Sequence, residues 1–175
     1  MTAEADPTTF AQFIEFVRQN IEWVPPIVFA LGFAESLVVV SVFVPSTALF
    51  LAIGGAHSAA GGEFLPVWIA GSVGAVIGDV VSFAIGRLLK EDIHKTWPFS
   101  KAPDTMKRGR YMFRRYGVLT IIVGKFLGNL RPVLPIAAGA MRMPWAQFLP
   151  ASIASCIIWA GVFLAPGYGL FQLLS

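Results

Sequence analysis

Charged side chains are scarce in this sequence. Only 13% of the 175 residues are Asp, Glu, Lys or Arg, about half the share near 25% that is usual in soluble domains. Hydrophobic residues make up 56% of the chain, and its mean hydropathy is +0.71. This composition excludes an ordinary soluble domain and favours a membrane protein. The one cysteine, Cys156, has no partner for an intrachain disulfide, and we expect it to be inert packing within an apolar run.

The short motifs of common catalytic sites are also missing. The sequence contains no G-x-S-x-G, no H-E-x-x-H, no phosphate-binding P-loop and no cluster of Cys and His residues. His57 lies in a stretch rich in Gly and Ala and has no second ligand at metal-binding spacing. We therefore expect no enzymatic activity, no metal and no cofactor.

The positive charge that is present is concentrated in one segment. The formal net charge is +3, but its distribution argues against a nucleic-acid partner. Most of the basic residues lie between two apolar regions, which is typical of a cytoplasmic loop and places Gly61 and Gly62 outside. The same loop is suited to anionic lipid head groups, a second hypothesis for its charge. Nine of the 13 Lys and Arg residues are in residues 87–116: Arg87, Lys90, Lys95, Lys101, Lys107, Arg108, Arg110, Arg114 and Arg115.

Two apolar runs are long enough to cross a bilayer, which takes about 20 helical residues. They are residues 64–86 and residues 145–174. In the first run, Gly74, Gly78, Ser82 and Gly86 recur at four-residue intervals, so another helix can approach closely along that face. The stripe suits packing within the chain or in a homo-oligomer, and we favour packing within the chain.

Two further apolar runs are interrupted. Residues 23–60 are broken at Pro45, and residues 117–141 are broken at Pro132, Pro135 and Gly139. Irregular backbone at membrane depth persists only where protein or a wet cavity satisfies its polar groups. We therefore predict a re-entrant helical hairpin in each run, with the first turn near Pro45.

The order of these segments predicts an inverted repeat. An amphipathic interfacial helix over residues 8–22 precedes the first hairpin and crossing helix, and a surface helix in the basic loop 87–116 precedes the second pair. A cytoplasmic loop makes the two hairpins enter from opposite sides, as in transporters with a central site. The sequence thus predicts a single all-α, multi-pass domain over residues 1–175 in the cytoplasmic membrane.

Four charged residues lie inside the apolar segments, where each costs several kcal/mol unless it faces a cavity or a partner. Glu35 in the first hairpin is a candidate proton carrier or charge-balancing group, or else it bonds the backbone near the turn. Arg131 beside Pro132 is placed to fork onto a phosphate or carboxylate, or to pair with Glu35. Lys125 either serves function or extends to the interface. Asp79, near the cytoplasmic end of its helix, is wetted from the surface or pairs with a basic residue of the adjoining loop.

Three other polar residues have simpler roles. Ser46 and Thr47 follow Pro45 and add hydroxyl groups to an anion site formed by backbone N–H groups at the first hairpin tip. Arg142 follows the second hairpin directly, and we expect it to be an interfacial anchor.

These residues resemble the DedA family, whose domain is shared with the VTT-domain lipid scramblases of eukaryotes. The segment GKFLGNLRPVLPIAAG from Gly124 to Gly139 resembles the family pattern G-R-F-x-P-x-x-R-x-x-x-P-x-x-A-G. Phe33-Ala-Glu-Ser36 resembles the family's F-x-E-S, and the stretch from Gly78-Asp79 to Gly86-Arg87 resembles G-D-x-x-x-Y-x-x-G-R. The resemblance extends from Ala30 to Gly169.

The resemblance implies a function in transport of a phospholipid or a polyprenyl phosphate such as undecaprenyl phosphate. It implies two acidic residues in the first hairpin and two basic residues in the second. Glu35 matches the first acidic position, and Lys125 and Arg131 match the basic pair that meets phosphate. Lys125 replaces the usual Arg, and Pro45-Ser46-Thr47 lacks the second acidic residue. The alternatives are a proton-coupled transporter of small ions or solutes and a membrane-organising protein that does not transport.

Overall fold

The structure is a computed structural model, and it describes residues 12, 15–37, 46–89, 103–127 and 131–174. All regular elements in these ranges are helical, so the predicted all-α class is confirmed there. Residues 15–19 and a 3₁₀ turn at Ile21–Trp23 precede the main helices. Those helices are α1 (Val24–Glu35), α2 (Ser46–Ala59), α3 (Phe64–Leu89), α4 (Pro103–Tyr116), α5 (Leu119–Gly124), α6 (Val133–Ala140) and α7 (Trp145–Leu174).

Two helices are long and apolar enough to cross a membrane. They are α3, with 26 residues, and the segment Trp145–Gly169 of α7, with 25 residues. The sequence predicted that the first crossing helix ends at residue 86. In the structure α3 continues to Leu89, so Arg87 belongs to its last turn rather than to the loop. Apolar Leu88 and Leu89 prolong the helix, and the Arg87 guanidinium donates to the Met143 carbonyl oxygen at 3.0 Å.

Two faces of α3 have different surroundings. Gly74 and Gly86 lie on the inner face, where a Cβ atom would come within 2.2 Å of the Phe29 carbonyl oxygen of α1 and 2.1 Å of the Ile136 carbonyl oxygen of α6, respectively. The glycine stripe thus packs within the chain, as we favoured from the sequence. The outer face carries exposed apolar side chains at four-residue intervals: Leu65, Ile69, Val73, Ile77, Val81 and Ile85.

The arms of each predicted hairpin pack on different crossing helices. In residues 23–60, α1 packs mainly on α3 and α2 on α7. In residues 117–141 the order is exchanged, because α5 packs on α7 and α6 on α3. The turn containing Pro45 lies outside the described residues. Each of α3 and α7 therefore packs against one arm of each predicted hairpin as well as against the other long helix.

Three breaks were predicted in residues 117–141. Of these, only Pro132 lies at a helix boundary, because it is the residue that precedes α6. Pro135 and Gly139 lie inside α6, so their prediction as breaks was wrong. Proline is tolerated in the first helical turn because its missing N–H has no partner there. At Gly139, a Cβ atom would lie 2.0 Å from the Phe83 carbonyl oxygen, so glycine here permits contact with α3.

The apolar core consists of two clusters, one toward each end of the crossing helices. One cluster joins α3, α5, α6 and the start of α7 around Phe83 and Phe148. The other joins α1, α2, the start of α3 and the later part of α7 around Phe50 and Trp159. Between them, Asp79 on α3 and Arg131, just before α6, introduce buried charge into the protein.

Candidate functional site

The first buried ion pair joins the two predicted hairpins. Arg131, just before α6, donates from Nη1 to Oε1 of Glu35, the last residue of α1. Both side chains are almost fully buried, with 8% and 6% of their surface exposed. The sequence allowed Arg131 to pair with Glu35, and the structure forms that pair.

The remaining edge of the Arg131 guanidinium is the distinctive feature of this pair. Nε and Nη2 have no hydrogen-bond partner among the described residues. These two nitrogens project their N–H groups from one edge of the planar group, the geometry that binds two oxygens of a phosphate or carboxylate. A buried guanidinium with an open edge is costly to maintain unless a ligand or water occupies it.

An aromatic residue holds the plane of this guanidinium. Arg131 Cζ lies 3.7 Å from the ring centroid of Trp159 on α7, well inside the range of a cation–π contact. Trp159 in turn packs edge-on against Phe50 of α2, with centroids 4.8 Å apart. Elements from both halves of the chain therefore fix the orientation of Arg131.

The second buried ion pair has a closed set of partners. Lys125, the residue that caps the end of α5, donates from Nζ to Asp79 Oδ2 at 2.5 Å and to Cys156 Sγ at 2.9 Å. Ser152 donates to the same carboxylate oxygen at 2.9 Å. Lys125 and Asp79 are each 4% exposed. This cluster joins α5, α3 and α7.

The two pairs are neighbours. The hydroxyl of Ser36, which follows Glu35, donates to the Ala75 carbonyl oxygen at 3.0 Å, and Ser82 donates to the Ser36 carbonyl oxygen at 2.8 Å. Ala75 and Ser82 flank Asp79 on α3, so the end of α1 is fixed beside it. On α7, Cys156 and Trp159 are one turn apart. Two acidic and two basic side chains thus form a neutral set at the meeting point of both halves.

These contacts revise several predictions. Lys125 does not extend to the interface, and it does not share a partner with Arg131 among the described contacts. Asp79 is the sixteenth of 26 residues in α3, away from the helix end, and it pairs with Lys125 rather than with the basic loop. Ser46 and Thr47 open α2, but their side chains lie outside the described residues.

Sequence analysis missed the contribution of α7. Ser152, Cys156 and Trp159 all face the charged set, although Cys156 was expected to be inert packing. Their spacing of four and three residues places them on one helical face, which was an available signal. Among the described residues, no group of three or more His, Cys, Asp or Glu side chains is arranged to hold a metal ion.

Comparisons with known proteins agree on one family. Residues 44–169 match the family model described as VTT domain. The chain is 30% identical over 153 residues to the inner membrane protein YabI of Escherichia coli, covering 87% of this chain and 60% of YabI. It is 28% identical over 163 residues to the protein DedA of E. coli, covering 88% of this chain and 72% of DedA.

An uncharacterised membrane protein of Buchnera aphidicola from Schizaphis graminum is 28% identical over 151 residues, covering 86% of this chain and 60% of that protein. The chain therefore spans about 60% of the length of YabI and of this relative. No solved structure matches the chain.

Proposed function

The chain belongs to the VTT domain family of DedA-type membrane proteins, and on this basis we propose that it transports a lipid phosphate across the cytoplasmic membrane. The substrate class is a phospholipid or a polyprenyl phosphate such as undecaprenyl phosphate. The observation that carries this proposal is the Nε and Nη2 edge of Arg131, which has no partner among the described residues. A phosphate supplies two acceptor oxygens at the spacing that this edge requires.

The position of Arg131 supports movement across a membrane rather than binding at its surface. A charge this deep in an apolar protein is expensive and marks a substrate or ion pathway by default. Arg131 lies at the break between α5 and α6, beside the crossing helix α7. In our proposal the hairpins enter from opposite faces, as in inverted-repeat transporters with sites near the midplane, so Arg131 is reached alternately from each side.

Glu35 has the role of the counter-charge in this proposal. While no substrate is bound, its carboxylate neutralises Arg131. A bound phosphate would bring further negative charge next to the same carboxylate. We keep for Glu35 the two roles expected from the sequence, balancing charge or carrying a proton while the substrate moves.

Lys125 has a different role in the proposal from the one expected from the sequence. Its Nζ is already engaged by Asp79 and Cys156. We assign to Lys125 and Asp79 the task of fixing α5 to both crossing helices, and we leave Arg131 as the phosphate-binding cation.

One rival function uses the same Nε and Nη2 edge of Arg131. A small inorganic or organic anion presents the same paired oxygens, so proton-coupled transport of a small solute fits the geometry too. The closed surroundings of Arg131, which is 8% exposed, favour a ligand that enters by its head group alone. Lipid flux and solute flux are distinguished by direct measurement.

The test is a reconstituted flux assay. Purified protein is placed in liposomes that contain a fluorescent phospholipid or a labelled polyprenyl phosphate, with a pH-sensitive dye in the lumen. We expect lipid movement by the wild type and by Arg18→Ala, which breaks an exposed Arg–Glu pair, and none by Arg131→Ala. Flux of an inorganic anion without lipid movement would support the solute transporter instead.

A further inference from the structure

The turn after α6 contains an arginine in an unusual backbone conformation. Arg142 has φ 58°, in the left-handed region, and it is the one non-glycine residue with positive φ in the described parts of the chain. Its N–H donates to the Gly139 carbonyl oxygen at 2.9 Å, and the Met143 N–H donates to the Ala138 carbonyl oxygen at 3.0 Å. This is the Schellman ending of a helix, in which the left-handed position is usually glycine.

The side chain of Arg142 is exposed and forms no ion pair with any described residue. No ion pair within the described ranges therefore explains why an arginine, with its Cβ, occupies a position where glycine is free of strain. An observed backbone outlier of this kind points to a function of its side chain. Another arginine holds the same turn, because Arg87 donates to the Met143 carbonyl oxygen at 3.0 Å.

A groove lies directly beside Arg142. Its volume is about 280 Å³, just below the range of about 300–1,000 Å³ typical of small-molecule pockets. It is lined by Arg142, by Gln147 at its polar side, and by apolar groups from two parts of the chain, the end of α4 and the turn between α6 and α7. The apolar lining includes Phe113, Val118, Ala138 and Met143.

The helix that borders this groove is strongly basic. Residues 103–116 contain five Lys and Arg residues and one Asp, which gives 5 − 1 = +4. Phe113 packs into the core, whereas Arg108, Arg114 and Arg115 are exposed. Exposed aromatic rings lie at the end of α4 and at the start of α7. Tyr116 is 51% exposed, and Trp145 is 41% exposed. Basic side chains beside exposed Tyr and Trp rings are typical of a protein surface at the level of lipid head groups.

We propose that this groove binds one anionic phospholipid of the adjacent leaflet. The Arg142 guanidinium meets the phosphate, and the first part of an acyl chain lies in the apolar groove against Phe113 and Met143. The positive charge of α4 favours an anionic over a zwitterionic lipid. This site is separate from Arg131, because the eight residues of α6, about 12 Å of helix at 1.5 Å per residue, lie between them. It does not depend on the proposed transport function.

The deciding variant is Arg142→Gly. It removes the guanidinium and at the same time relieves the left-handed backbone, so the melting temperature of the protein should stay the same or rise. Arg142→Asn is the second variant, because Asn also tolerates this conformation. Arg142→Lys keeps the charge, and Arg18→Ala is the control for loss of an exposed arginine elsewhere.

The measurement is the shift in melting temperature of the detergent-solubilised protein on addition of short-chain phosphatidylglycerol or phosphatidylcholine, with native mass spectrometry to count retained lipids. We expect phosphatidylglycerol to stabilise the wild type, Arg142→Lys and Arg18→Ala more than phosphatidylcholine does. In Arg142→Gly and Arg142→Asn this difference should fall at least threefold. An undiminished difference in both variants overturns the proposal, as does a wild type that does not distinguish the two lipids. An equal shift with soluble glycerol phosphate would assign the site to a free anion instead.

Discussion

The two buried ion pairs differ in how completely their cations are satisfied. Lys125 is engaged by Asp79 and Cys156, and Ser152 supports the same carboxylate. Arg131 has one nitrogen on Glu35 and a face on Trp159, while its Nε and Nη2 edge has no partner among the described residues. A lysine saturated by neighbours is suited to holding helices together. An arginine with an open edge is suited to binding a ligand.

The largest expected effect is on transport at Arg131. Arg131→Ala removes the phosphate-binding edge, so we expect lipid flux in liposomes to fall to the background of protein-free vesicles. Arg131→Lys keeps one charge but loses the two-pronged geometry, and a flux at least tenfold below wild type is expected. Wild-type flux by a folded Arg131→Ala protein would end the assignment.

At the second pair the expected effect is on stability. Lys125→Met leaves the Asp79 carboxylate buried without its cation, and removal of one partner of a buried pair costs about 3–5 kcal/mol. The additional change Asp79→Asn removes the stranded charge and should recover most of this loss. Thermal unfolding in detergent measures the loss of stability in the single variant and its recovery in the double variant. If Lys125→Met unfolds at the wild-type temperature, the pair does not hold the helices.

Helix contact on α3 gives a smaller effect, and it compares the contact of α3 with α1 to its contact with α6. Gly74→Ala forces a Cβ against α1, and Gly86→Ala forces one against α6. Overpacking of this kind costs about 1–3 kcal/mol, so both melting temperatures should fall. Gly169→Ala is the matched control, because nothing lies within 4 Å of its added Cβ. Alanine favours a helix over glycine, so the melting temperature of Gly169→Ala should stay the same or rise. A drop in Gly169→Ala equal to the others would show that contact with α1 and α6 is not the cause.

Replacement of Trp159 is expected to have the smallest effect. Trp159→Phe weakens the cation–π contact, which is worth about 0.5–2 kcal/mol, so the apparent affinity for lipid phosphate should fall about 2- to 30-fold at 1.4 kcal/mol per tenfold. Trp68→Phe is the control. It removes a tryptophan hydrogen bond to the Ile157 carbonyl oxygen but no ring contact with Arg131, so it should lower stability without changing affinity.

The sequence located the two long apolar helices, and the four charged residues inside its apolar segments are all buried. Hydropathy gives the first, and the cost of an exposed charge in an apolar environment explains the second. Hydropathy located three of the four ends of α3 and α7 at the observed residue, and it placed the end of α3 at residue 86 instead of Leu89. The glycine stripe also followed from local spacing. The stripe proved to pack within the chain.

The pairing of the charges was not fully predictable. Periodicity does not state which of two cations meets which of two carboxylates, and only the Glu35 and Arg131 pair was considered from the sequence. Asp79 was placed too near a helix end because the length of α3 was underestimated. The roles of Cys156 and Trp159 were missed because an apolar run gives no sign of which of its residues face a charge in another helix.

The most direct test of the central claim removes each pair as a unit. Glu35→Gln with Arg131→Gln eliminates one buried pair, and Asp79→Asn with Lys125→Met eliminates the other, so neither double variant carries a stranded charge. Lipid flux in liposomes is compared after both proteins are shown to be folded. The account predicts no flux from the Glu35→Gln, Arg131→Gln protein. It predicts flux within about fivefold of wild type from the Asp79→Asn, Lys125→Met protein, a change in activation free energy smaller than the 1.4 kcal/mol of a tenfold effect. Normal flux from the first variant, or none from a folded second variant, would contradict it.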